Sequence, residues 1–271
     1  MTEAPKKVRV RHFQKAKAEG IRITGLTSYD FLTAGIFDAA GVDFLLIGDS
    51  AGNVVFGYDT TVPVTVEELI PLCRGVVRAA KRALVVADLP FGSYEANADD
   101  ALHTAVRFMK EAGVHAVKLE GGRRSAASIE RIVQAGIPVM GHVGFTPQSE
   151  HGLGGHVVQG KGAAKKALLD DAKAVQEAGA FAVVVEMVPA DVAREVSQAL
   201  TIPVIGIGAG AGTDGQILVW TDLAGLSTKR VPKFVKQYAQ LEKDLHGAVS
   251  AWISEVAEGT FPGPEHSFSD D

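Results

Sequence analysis

The chain has 271 residues, of which 46% are hydrophobic and 22% charged, with a net charge of −5 and a single cysteine. This balance suits a globular α/β body with a substantial core, and it gives no sign of the clustered Lys and Arg that nucleic acid or an acidic membrane would want. Cys73 alone permits neither an intrachain disulfide nor a thiolate metal site, so a reducing, cytoplasmic setting is expected. No apolar run approaches the roughly 18 residues of a membrane span, and the N-terminal stretch is too charged for a secretory signal.

In chain order, KKVRVRHFQKAKAEG (6–20) reads as a solvated helix and its lead-in. Short apolar runs then recur: IRITGLTS (21–28), DFLLIGDS (43–50), ALVVADLP (83–90), HAVKLEGG (115–122), IPVMGHVG (137–144), FAVVVEMV (181–188), IPVIGIGAG (202–210) and, more weakly, QILVWTD (216–222). Between them the spacing predicts helices over 29–40, 66–81, 98–112, 124–135, 161–178 and 190–200. Nearly continuous apolar strands belong to a parallel sheet covered on both faces, and eight such units match a (β/α)8 TIM barrel better than a doubly wound sheet. Gly41, Gly113, Gly136 and Gly179 each follow a helix-ending Ala, which predicts a left-handed helix stop. Residues 231–258 read as further helix, with FPGPEH (261–266) closing the body and SFSDD (267–271) a loose tail. One barrel domain over 1–271, with an N-terminal lead-in helix and a C-terminal helical extension, is the expected organisation.

VKLEGG (117–122) sets Lys118 and Glu120 two positions apart where an apolar run stops. On a strand both face the same way, opposite Val117 and Leu119. Barrel enzymes keep their chemistry at the C-terminal strand ends, and five consecutive strands here end in ionisable groups: Asp49, Asp88, Lys118 with Glu120, His142 and Glu186. Each alone reads as a cap or loop hydrogen-bonder; the series weakens that reading. Asp49 and Asp88, on neighbouring strands, are either turn caps or a carboxylate pair for a hard divalent ion, and as a pair they favour the ion. Glu186, in VVVEMV, is either a general base whose pKa is raised by apolar surroundings or a carboxylate satisfied by Lys118 or an arginine. His142 is either a hydrogen-bond donor to the site or a satisfied core histidine. The string GIGAGAGTDG (206–215) suggests close backbone approach to a phosphate or carboxylate, without the acidic partner that dinucleotide binding requires.

GDSAGNVVFGYDTTVPVT (48–65), ADLPFGSY (87–94), VKLEGG, GHVGFTPQS (141–149), IPVIGIGAG, TDGQILV (213–219) and FPGPEHSF (261–268) together resemble the ketopantoate hydroxymethyltransferase family, in order from Thr24 to Phe268. The resemblance implies a decameric, Mg2+-dependent barrel of the phosphoenolpyruvate/pyruvate type in pantothenate synthesis, with one Mg2+ per subunit. Such an enzyme moves a one-carbon unit from 5,10-methylenetetrahydrofolate to 3-methyl-2-oxobutanoate. Carried over residue by residue, it implies Asp49 and Asp88 as metal ligands that also meet the substrate, and Ser50 and Lys118 as holders of its carboxylate. Glu120 belongs to the metal site through an ordered water, His142 lies beside the substrate, and Glu186 is the base. The chain departs from the family in GLGGHVVQG (152–160), where His156-Val157 replaces a common Tyr-Lys in a segment read as an active-site lid. Two rivals remain open on sequence: an oxoacid C–C lyase, whose KKCGH motif is missing, and a noncatalytic metabolite-binding barrel.

Overall fold

The structure, a computed structural model, describes residues 6–227 and 231–269. The chain divides into two compact units, Met1–Val219 and Trp220–Asp271. In the first, β1 (Ile23–Thr27), β2 (Phe44–Ile47), β3 (Leu84–Asp88), β4 (Ala116–Glu120), β5 (Val139–Gly144), β6 (Ala182–Glu186), β7 (Val204–Ile207) and β8 (Gly215–Leu218) close into a barrel in chain order. Every neighbouring pair is parallel, and β8 returns to β1. The helices of this unit are α1 (Val10–Glu19), α2 (Phe31–Ala40), α3 (Ala51–Val54), α4 (Val66–Ala79), α5 (Ala98–Arg107), α6 (Ala126–Gln134), α7 (Glu150–Leu153), α8 (Ala164–Glu177) and α9 (Ala190–Ala199). The eight expected strands and six interstrand helices are thus present, which makes the fold the (β/α)8 TIM barrel.

Local chemistry sets the helix ends. Asp30 accepts from the Thr33 N–H at 2.9 Å to start α2, and Thr65 and Glu68 form a reciprocal capping box that starts α4. Gly41, Gly113, Gly136 and Gly179 have φ of 95°, 75°, 86° and 95°, the left-handed stops that the Ala-Gly steps predict. The helix expected over 98–112 is α-helical only to Arg107 and finishes as a π turn over Phe108–Ala112.

Alternate residues of the strands fill the barrel: Ile23, Phe44, Leu46, Leu84, Val86, Ala116, Met140, Ala182, Val184, Ile205, Ile207 and Ile217 form one buried cluster with Phe13 and Ala16 of α1. The solvated N-terminal helix of the sequence reading is therefore only half right. Phe13 is fully buried, its ring 5.7 Å from that of Phe44 and 5.2 Å, edge-on, from that of Phe181. Its neighbours Phe44 and Phe181 sit at or just before the strand starts, so α1 plugs the N-terminal end of the barrel.

The second unit holds α10 (Trp220–Leu223) and α11 (Leu241–Glu258). Helix expected over 231–240 is not found. Within this segment Tyr238 gives its N–H to the Leu223 carbonyl and Val235 to that of Pro232, and Pro232 has no N–H to give; Leu241 and Glu242, which open α11, bond to the carbonyls of Ala224 and Gly225. Asp270 and Asp271 of the expected loose tail lie outside the described residues.

If Phe13 seals the core, Phe13→Ala should cost about 3–5 kcal/mol in urea unfolding. A loss below about 1 kcal/mol would show α1 to be a surface helix.

Candidate active site

The alternation that fills the barrel also aims its chemistry. Asp88, Lys118, Glu120, His142 and Glu186 continue the inward series of Leu84–Val86, Ala116, Met140 and Ala182–Val184, and so form the layer above the hydrocarbon core. The register sets Asp88 beside Lys118, Glu120 beside His142 and Gly144 beside Glu186. Asp49 and Ser50 follow β2, where Ser50 leads into α3 and its Oγ lies 2.8 Å from the Tyr29 hydroxyl. A Cβ on Gly48 would come within 2.7 Å of that Oγ, so glycine there leaves room for the serine. Every sequence-expected site residue thus stands at one end of the barrel.

Ion pairs from Lys118 and His142 tie the layer together. Lys118 Nζ lies 2.9 Å from Asp88 Oδ1 and 3.2 Å from His142 Nδ1. His142 bridges two carboxylates, with Nδ1 3.4 Å from Glu120 Oε1 and Nε2 3.2 Å from Glu186 Oε2. The Asp49 N–H donates to Asp88 Oδ2 at 3.3 Å, which brings the two aspartates together as their strand positions predict. Asp49, Asp88, Lys118, Glu120 and His142 are buried, whereas the Glu186 side chain keeps 16% of its surface exposed. Glu186 therefore lies in a half-open setting against an imidazole instead of the apolar enclosure its sequence suggests.

Four carboxylates face two side-chain cations, and the proton affinities follow from that imbalance. Burial, with the charges of Asp49 and Glu120, pushes the Asp88 carboxyl up to about 7 against the pull of Lys118. Burial likewise raises Glu120, although His142 and Lys118 oppose it. For His142, burial and the Lys118 charge disfavour the proton, but Glu120 and Glu186 outweigh them and push it up to about 9. Lys118 is raised as well: Asp88, Glu120 and Asp49 overcome its burial.

The sequence reading missed a second set of residues. Gln148, on the turn Pro147–Ser149 after β5, donates from Nε2 to Asp49 Oδ2 and to the Leu89 carbonyl, both at 3.0 Å. Its backbone N–H donates to Glu120 Oε2 at 3.1 Å, and its Oε1 accepts from the Tyr94 hydroxyl at 2.6 Å. Tyr94 in turn accepts from the Glu120 N–H at 3.2 Å, and Ser125 Oγ donates to the Glu120 carbonyl at 2.7 Å. Gln148, Tyr94 and Ser125 lie on turns and loops, where no periodicity marks them; the only signal was the presence of Gln148 in GHVGFTPQS and of Tyr94 in ADLPFGSY.

The glycine string proves different from the open cradle expected. A Cβ on Gly206, Gly210 or Gly212 would meet Thr213, Ala190 or Arg194 within 2.8 Å, so the close approach is to the chain's own side chains. In the expected lid, His156 stacks on Phe145 with ring centres 4.9 Å apart and lies 3.3 Å from Glu150, while Val157 is exposed. Leu153, Gln159 and Gly160 of the same segment line a cavity of about 520 Å3 together with Arg123, Arg124, Gly144 and Asp171, and none of the ionisable site residues lines it. Met187, next to Glu186, holds a left-handed φ of 46°, rare for a side chain of its size.

Among the described residues no three or more of His, Cys, Asp and Glu form a metal-holding group. Asp49 and Asp88 are a two-carboxylate pair, and the site's excess of two negative charges fits one hard divalent ion completed by water and substrate oxygens.

A closed parallel barrel with its ionisable groups gathered at the C-terminal strand ends defines a TIM-barrel enzyme. The same fold occurs in phosphonopyruvate hydrolase, solved as a complex with oxalate and Mg++, at a TM-score of 0.62 and 12% identity, covering 96% of this chain and 92% of that one. It also occurs in 2,3-dimethylmalate lyase, a member of the PEP mutase/isocitrate lyase superfamily (TM-score 0.59, 16% identity, 96% and 92% covered). Residues 7–264 match the ketopantoate hydroxymethyltransferase family. The 3-methyl-2-oxobutanoate hydroxymethyltransferase of Leifsonia xyli is 69% identical over 98% of this chain and 96% of its own length; that of Saccharopolyspora erythraea is 62% identical over 97% and 90%. The chain belongs to the ketopantoate hydroxymethyltransferase family. It is an enzyme of pantothenate synthesis that transfers a hydroxymethyl group to 3-methyl-2-oxobutanoate to give ketopantoate, and neither the lyase nor the noncatalytic rival is favoured.

The cluster makes a signed prediction for the metal-free protein. Asp88 at about 7 and His142 at about 9 both lie above their unfolded values of roughly 3.9 and 6.5, so the folded state holds more protons. The contribution of His142 is complete below about pH 6.5 and is lost as pH rises through about 9, so stability to urea should fall over that window. His142→Gln should flatten the fall, and a rise in stability with pH would show that the folded state keeps His142 neutral.

Proposed function

We propose that the transfer uses 5,10-methylenetetrahydrofolate as donor and one Mg2+ per subunit, held by Asp49 and Asp88 and, through water, by Glu120. Bound there, the ion would act as a Lewis acid on the keto oxygen of 3-methyl-2-oxobutanoate and make its C3 proton more acidic. Ser50 and Lys118 hold the substrate carboxylate: the serine through a hydroxyl positioned beside Tyr29, the lysine through charge kept on it by the surrounding carboxylates. His142, beside the substrate, carries positive charge between Glu120 and Glu186 and fixes the direction of both.

Glu186 is the base. The observation that carries this assignment is its exposure: it keeps 16% of its side-chain surface, against 1% for Asp88 and 0% for Glu120. Only a carboxylate that substrate can reach can remove a substrate proton. Glu186 takes the proton from C3, the C–H electron pair passes into the enolate, and C3 attacks the methylene carbon of the folate. One of the two carbon–nitrogen bonds of the methylene bridge is given up as the C–C bond forms and the other is replaced by the hydroxyl of water, while the proton taken from C3 and the remaining proton of the water go to the two folate nitrogens.

A decamer, as the family resemblance implies, is part of the proposal. It is supported by apolar side chains that this chain leaves exposed, Phe31, Leu32 and Ile36 on α2 and Leu245, Val249, Trp252 and Ile253 on α11. No helix among the described residues is long and apolar enough to cross a membrane, and a cytoplasmic location is proposed.

Proton NMR of 3-methyl-2-oxobutanoate in D2O tests the chemistry. The C3 proton signal should disappear only with both enzyme and Mg2+, and ketopantoate should appear once the folate is added. Glu186→Gln should slow the exchange by at least about 100-fold while substrate still binds; exchange at the wild-type rate would remove Glu186 as the base. Light scattering on the pure chain should give ten subunits, and a monomer would refute the assembly.

A further inference from the structure

We infer that Gln148 is a positioning residue for the divalent ion, and that Tyr94 sets its orientation; this rests on the metal reading proposed above. The direction of the amide is fixed by partners that have no choice. The Leu89 carbonyl can only accept, so the NH2 end of Gln148 faces it, and the second hydrogen of that group goes to Asp49 Oδ2. The Glu120 N–H can only donate, so it uses the Tyr94 oxygen, and the Tyr94 hydrogen goes to Gln148 Oε1. One buried chain thus runs from β4 through Tyr94 and Gln148 to Asp49.

Two consequences bear on the ion. Asp49 is anchored by Oδ2, which accepts from Gln148 Nε2 at 3.0 Å. The same glutamine holds Glu120 Oε2 through its backbone N–H, so the carboxylate after β2 and the one at the end of β4 are set from a single turn. Two like charges so placed would otherwise turn apart. A residue that only satisfied buried polar atoms would affect folding and leave the affinity of the folded protein unchanged. A positioning residue moves that affinity.

Mn2+ binding to the full chain, stripped of metal and supplied with 3-methyl-2-oxobutanoate, separates these roles by electron paramagnetic resonance. Gln148→Met, which keeps the volume and removes the amide, should weaken the Mn2+ Kd about tenfold or more. Tyr94→Phe should weaken it less, and the double variant should bind no worse than Gln148→Met alone, because both act through one amide. Folded Gln148→Met with a wild-type Kd would overturn the inference. Should that variant fail to fold, Tyr94→Phe decides: a wild-type Kd overturns the inference and a weakened one supports it. A wild-type chain that binds no Mn2+ would defeat the metal reading itself, and this inference with it.

Discussion

Like charge buried around one axis is the constraint on which the rest of this structure depends. Asp49, Asp88 and Glu120 are taken almost wholly out of water, where an uncompensated carboxylate is expensive and tends to take up a proton. The chain answers with two cations, Lys118 and His142, and with donors from Gln148 and the Glu120–Tyr94–Gln148 relay. That answer is incomplete by one charge, or by two once Glu186 is counted, and burial together with the charges of Asp49 and Glu120 pushes Asp88 up to about 7. A site with this imbalance is suited to a divalent cation because the cation removes the electrostatic strain that the apolar surroundings impose.

Those apolar surroundings are part of the same strands. Because side chains alternate, β3 to β6 each turn Leu, Val, Ala or Met to the axis below and Asp, Lys, Glu or His above. A one-residue slip in register would turn both sets outward together, so core packing and site geometry are specified by one pattern. The plug of Phe13 against Phe44 and Phe181 closes the far end of the hydrocarbon layer. A dry core beneath the charges lowers the local dielectric and strengthens every ion pair above it.

This coupling explains what could be read in the sequence and what could not. VKLEGG announces a strand and a site together, since period-two alternation that ends in charges has few other uses, and Asp88, His142 and Glu186 were legible for the same reason. Gln148 and Tyr94 were not, because they sit on loops whose side-chain directions depend on the whole fold. The segment 231–240 has helix-compatible residues, but Tyr238 gives its N–H to the Leu223 carbonyl and the first residues of α11 bond to Ala224 and Gly225, a competition that only tertiary structure reveals. In 206–215 the glycines were rightly read as close approaches, yet the approaching atoms belong to Ala190, Arg194 and Thr213.

Four carboxylates at one barrel mouth acquire different tasks from their surroundings. Asp49 is pinned by an amide, Asp88 by a lysine and Glu120 by a backbone N–H, each with little freedom and little water. Glu186 alone keeps an open side, and the backbone just after it is held in a conformation that Met187 would not choose, with its N–H bonded to the Ile207 carbonyl and its carbonyl to the Gln159 N–H. A left-handed residue of this kind costs on the order of 1–3 kcal/mol and persists only where neighbours on both sides hold it. Here one of those neighbours is Gln159, which also lines the cavity. The strain therefore lies directly beside the exposed carboxylate, held by Ile207 on one side and by Gln159 on the other.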